Sequence, residues 1–139
     1  MRAPAFSTLC FLVASLSGAS AQTASTLVIR ADGLRSAQGD VFVGICNKSL
    51  DERECPYGDR KSARVGTVEF RFPNIPPGRY AIAVYHDANG NGRLDRSAIG
   101  FPQEPYGFSN DVGRTSIPTF SGALVTVSAP SSTVTIPVR

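Results

Sequence analysis

Two stretches of apolar alternation joined by a proline-rich turn constrain this chain more than any other feature. Residues 65–72 put Val68, Phe70 and Phe72 on one side and Thr67, Glu69 and Arg71 on the other. Successive side chains of a strand point to opposite faces, so this period of two predicts a half-buried strand. Residues 73–78 (PNIPPG) are a rigid turn. Residues 79–86 then alternate Tyr80, Ile82 and Val84 against Ala81, Ala83 and Tyr85. Both of its faces are apolar, which predicts a central strand covered on each side.

Further strands are expected at 26–31, at 39–46 (GDVFVGIC), at 123–128 and at 133–138, with a short one near 108–112. No helical periodicity of useful length appears, and there is no internal repeat. The 13 Gly and 10 Pro suit a turn-rich β protein and not a helical bundle. The expected fold is all-β: an antiparallel, Ig-like or transthyretin-like β-sandwich of about seven strands. Residues 47–61 are polar and charged and read as a loop with, at most, a short helical turn. The net charge of +3 is too small and too scattered for a nucleic-acid-binding face.

The N-terminus reads as a secretory signal peptide over 1–21. Met1-Arg2 is a short positive start, 5–16 is apolar, and Ala19-Ser20-Ala21 is a small-x-small cleavage site before Gln22. The apolar run is far shorter than the roughly 20 residues that span a bilayer. One domain over 22–139 follows, with a periplasmic or secreted location and no transmembrane segment. Cys10 would leave with the signal. Cys46 and Cys55 then remain as a pair in an exported chain, which predicts a disulfide. Closing a loop of that size is worth about 2–3 kcal/mol in the chain-entropy model.

The chemistry lies in the long loop after the central strand. Asp87-Ala-Asn-Gly-Asn-Gly-Arg-Leu-Asp95 matches the calcium-loop template D-x-[DN]-x-[DN]-G. Asp87, Asn89 and Asn91 supply oxygens, Gly92 the reversal, Arg93 its backbone carbonyl, and Asp95 a second carboxylate. Calcium takes 6–8 oxygens at 2.3–2.6 Å, and the loop offers about five. The bidentate Glu of the template is replaced by Ala98. Glu104 and Asp111 are the nearest carboxylates that could complete the set. The competing readings are a metal-free Asn/Gly turn, because Asx side chains also satisfy their own backbone, and another cation.

The run YAIAVYHDANGNGRLD followed by IGFPQEPYGFSND resembles a family of small exported bacterial proteins catalogued as a domain of unknown function. The matching residues include Tyr80, His86, Asp87, Asn89, Asn91, Gly92, Leu94, Asp95, Gly100, Pro102 and the segment from Glu104 to Asn110. The resemblance implies a secreted or periplasmic sandwich and no particular activity. The segment VEFRFPNIPPGRYAIAV separately resembles the strand–turn–strand of transthyretin-like and carboxypeptidase-regulatory-like sandwiches.

The expected function is that of a non-catalytic binding or accessory module of the cell envelope, with a protein or glycan partner. Tyr106 and Phe108 serve either as a binding platform or as plugs anchoring the loop. The alternatives are an envelope hydrolase using Glu104, Asp111 or His86, and a purely structural envelope subunit. A triad of Ser109, His86 and Asp111 can be written down, but no nucleophile elbow accompanies it.

Overall fold

A computed structural model describes residues 23–139. The proposed signal peptide, its cleavage site and Cys10 lie outside the described residues. Eight strands run in chain order: β1 (Ser25–Leu34), β2 (Asp40–Cys46), β3 (Tyr57–Ser62), β4 (Gly66–Ile75), β5 (Gly78–Asp87), β6 (Tyr106–Phe108), β7 (Leu124–Val127) and β8 (Ser131–Pro137). They form a β-sandwich. One sheet has the order β4-β1-β8. The other has the order β3-β2-β5-β6, with β7 also paired to β5.

The inner faces follow from the alternation. Leu27 and Ile29 of β1, Phe70 of β4, Ile45 of β2, Ile82 of β5 and Ile136 of β8 are fully buried in one core. Strand β5 is central as its two apolar faces require, flanked by β2 on one edge and by β6 and β7 on the other. The sheets are joined along one side. Tyr106 and Arg139 exchange backbone hydrogen bonds at 3.1 Å in each direction. Gly107 lets them approach, because a Cβ there would collide with the Pro137 carbonyl oxygen.

Three features differ from the sequence-based expectation. Among the described residues there are eight strands, one more than the seven located from the sequence. The additional one is β3, in the stretch expected to be a loop. Its sequence YGDRKS lies at a sheet edge and is largely exposed, so it carries charge in place of alternation, as edge strands do. The sandwich is also not wholly antiparallel: β1 and β8 pair in parallel, from Thr26 opposite Ser131 to Asp32 opposite Pro137. A parallel pair needs a long connection, and here most of the chain lies between the two strands. Finally, β4 continues into the expected turn through an irregularity at Pro73–Asn74, which brings Ile75 into the core. The short strand expected near 108–112 is β6, ending at Phe108, and a 3-10 turn (Ser109–Asp111) follows it.

Candidate functional site

Strand β5 delivers His86 and Asp87 to the end of the sheet, both buried. Asp87 is positioned by its neighbour across the ladder, Asp40 of β2. The chain must also bend sharply just before β2. Gly39 does so at φ +70°, where any side chain would strike the Asp87 carbonyl.

The loop then winds around the Asp87 carboxylate. Its Oδ1 accepts from the backbone N–H groups of Gly90 (2.8 Å) and Asn91 (3.1 Å), and its Oδ2 from Gly92 (2.7 Å). Asn89 and Asn91 form successive Asx turns, accepting from the N–H groups of Asn91 and Arg93 at 3.0 Å each. Their amide Nδ2 groups converge on Asp95, at 2.6 Å from Asn89 and 2.8 Å from Asn91. Those bonds, Asn91 first and then Asn89, hold the Asp95 carboxyl below its ordinary range. The charged form is therefore favoured by the fold. This contribution is present at neutral pH and is lost as pH falls through the lowered pKa, below about pH 4.

Glu104 closes the loop from its far end. Its Oε1 accepts from Ala88 N–H (3.2 Å) and its Oε2 from Asp95 N–H (3.0 Å). The fold thus gathers Asp87, Asn89, Asn91, Asp95 and Glu104 around one loop, with Arg93 on it, its guanidinium 3.7 Å from Asp95. The donor set is all oxygen, which suits a hard cation such as calcium. Among the described residues, no group of three or more His, Cys, Asp or Glu converges as a ready metal centre. The carboxylates meet amide and backbone N–H groups instead. For a cation to be held by this loop, the Asn side chains would have to turn their oxygens toward Asp87 and Asp95.

Asp111, the other carboxylate expected near the loop, lies elsewhere. Its side chain takes Arg139, with Arg114 at 3.8 Å. The reason is the direction of the chain. Strand β6 runs antiparallel to β5, so residues after Phe108 travel away from Asp87. Ser109 already sits at Ile82, five residues or roughly 16 Å along the strand from Asp87.

The same geometry separates the writable triad. Ser109 is buried, accepts from Ile82 N–H (2.9 Å) and donates to the Ala123 carbonyl. His86 Nε2 lies 2.7 Å from the Gln38 carbonyl oxygen, which can only accept, so Nε2 carries the proton. Each of the three residues is committed to a different partner.

Tyr106 and Phe108 lie on the outward face of β6, with rings 5.7 Å apart and edge to face. Phe108 packs on the small cluster of Cys46, Ala81 and Ala123, while both rings stay partly exposed. Register adds two residues that sequence reasoning did not single out. Phe42, Tyr85 and Tyr106 stand opposite one another across β2, β5 and β6. The Phe42 and Tyr85 rings stack at 4.9 Å and are parallel within 1°. Burial pushes the Tyr85 phenol up to about 12, with Glu52, Asp87 and Glu104 adding to the effect. Only the pairing of strands reveals such a row; the Phe42–Tyr85 separation in sequence contains no signal for it. Cys46 and Cys55 form the expected disulfide, with sulfurs 2.02 Å apart, beside Gly44.

Residues 29–135 match a family described as an uncharacterized protein conserved in bacteria (DUF2141). The chain belongs to that family. No curated protein and no solved structure matches it. No helix among the described residues is long and apolar enough to cross a membrane.

Proposed function

We propose that this member of the family is an exported, non-catalytic β-sandwich whose 87–95 loop binds calcium and so orders the 88–105 segment as part of an envelope-binding surface. One observation carries the reading: Asp87, Asn89, Asn91 and Asp95, oxygen-bearing and spaced as the calcium template requires, close on a single loop that Glu104 joins from outside the template. The cation would replace N–H groups as the partner of Asp87 and Asp95, with the Arg93 carbonyl as a further ligand. Glu104 stands in the chain where it can supply the carboxylate that Ala98 lacks. Tyr106 and Phe108 follow directly and present aromatic surface beside the loop.

With only two or three charges the affinity is expected at about 10⁻⁴–10⁻³ M, the range of extracellular calcium modules. Calorimetric titration of calcium into chelated protein, paired with thermal melts, tests the proposal. At ten times Kd the folded state gains about 1.4 kcal/mol. Asp87→Asn should abolish both the heat and the shift in Tm. No heat and no shift at millimolar calcium in the unsubstituted protein would sink the proposal.

A further inference from the structure

The loops around Tyr106 and Phe108 carry apolar side chains that the fold leaves bare. A tight hairpin grows out of the 87–95 loop: Arg96 and Pro102 pair, Ser97 N–H donates to the Phe101 carbonyl (2.8 Å), and Gly100 N–H donates to the Ser97 carbonyl (2.9 Å). Its tip is Ile99, 81% exposed, followed by Phe101 at 64%. Turn tips ordinarily hold Gly, Asn, Asp or Ser, which suit both water and the backbone reversal. The facing loop holds Ile117, 83% exposed. Among the described residues, four large apolar side chains are exposed, and these are three of them. The fourth, Val65, lies between β3 and β4. Single exposed apolar residues need no explanation, but a cluster marks an interaction surface.

Between the two loops is a groove of about 640 Å³, with Leu94, Tyr106 and Phe108 along it. Its only charged lining side chains are Arg96 and Arg114, and no Asp or Glu lines it. Beside Arg114, Asp111 stands at 3.8 Å and is itself engaged by Arg139.

We propose that this end of the sandwich docks on an anionic lipid surface, with Ile99, Phe101 and Ile117 dipping below the headgroups and Arg96 and Arg114 meeting their phosphates. Apolar tips beside basic side chains are the pairing that interfacial binding uses. A second copy fits less well. A two-fold contact sets the same patch against itself, which would bring four arginines together with only the two Asp111 carboxylates, already engaged by Arg139, beside them. The proposal deepens the reading of the protein as a binding module by naming its partner. It does not rest on the cation, because the 96–102 hairpin is closed by its own backbone bonds.

The chain contains no Trp, so a single introduced Trp reports its own surroundings. Ile99→Trp and Ile117→Trp are to be mixed with vesicles of phosphatidylcholine alone or with phosphatidylglycerol, in calcium and in chelator. Val65→Trp is the control, because it reports any attachment through another part of the chain. The expected result is a blue shift and protection from an aqueous quencher at 99 and 117, only with phosphatidylglycerol, and none at 65. Arg96→Gln with Arg114→Gln in the Ile99→Trp background should weaken partitioning about thirty-fold, from about 1 kcal/mol per basic residue at an anionic surface. The absence of a shift at 99 and 117 overturns the proposal, as does an equal shift at 65. A concentration-dependent shift without vesicles would instead identify a contact between copies. Because the vesicle result is read with and without calcium, failure of calcium binding and failure of lipid docking are distinguishable.

Discussion

The segments after β2 and after β5 pose the same folding problem at opposite ends of one strand pair and are held by different means. Cys46 stands opposite Ala81 at one end of the ladder, and Asp87 stands opposite Asp40 at the other. At the first end a disulfide closes the 47–54 loop. A 3-10 turn inside it is capped by Asp51, whose carboxyl Arg53 holds down at about 2. At the second end no covalent bond exists. Carboxylates and Asn side chains gather the loop's N–H groups. A covalent closure works mainly on the unfolded chain and responds to little but redox state. A closure made of charged acceptors responds to protons and, on the proposed reading, to cations. The switchable end is the one that also carries the exposed apolar hairpin.

Substitutions can break this comparison, and the largest effect is expected at Asp87. Asp87→Ala takes the acceptor from the Gly90 and Gly92 N–H groups and leaves Asn91 N–H with Asn89 alone. We expect a loss of about 3–4 kcal/mol in urea unfolding. A loss below about 1 kcal/mol would mean that the loop holds itself. Removing the staple, with Cys46→Ser and Cys55→Ser together, should cost about 2–3 kcal/mol in the same assay. If it costs more than Asp87→Ala, the ranking of the two ends is reversed.

Ser109→Ala serves as a reference that removes no bond of either closure. It removes a buried hydroxyl that serves Ile82 and Ala123, and about 1–2 kcal/mol should go with it. The smallest effect is read by pH. The unfolded phenol of Tyr85 ionises near 10, but the folded one only near 12. Its contribution is therefore complete below pH 10 and falls away as pH rises toward 12. Tyr85→Phe should flatten that part of the stability curve, and an absorbance titration of the phenols locates the pKa directly.

How much of this was legible in the sequence depends on whether a feature was local. Strand β4 follows from alternation of residues such as Val68 and Phe70, because burial on one face imposes period two, whereas β2 follows from a β-branched and aromatic run and β5 from two apolar faces. The 87–95 loop was legible because Asx turns and the Gly92 reversal are short-range. Glu104 was legible as a nearby carboxylate. Strand β3 was not, because an exposed charged edge has no alternating signal. Asp111 was misplaced because only the direction of β6 decides which carboxylate faces the loop.

The sequence alone determined an all-β chain with a polar, oxygen-rich loop after its central strand and a pair of cysteines to join. Each of these depends on neighbours within about ten residues, where the geometry of the backbone leaves few choices. The tertiary structure decided the rest: the parallel pairing of β1 with β8, the row of Phe42, Tyr85 and Tyr106, and the union of Ile99, Phe101 and Ile117 on one end with two arginines. Those depend on which distant strands share an edge. That is set by burying one common core, and no local pattern of residues encodes it.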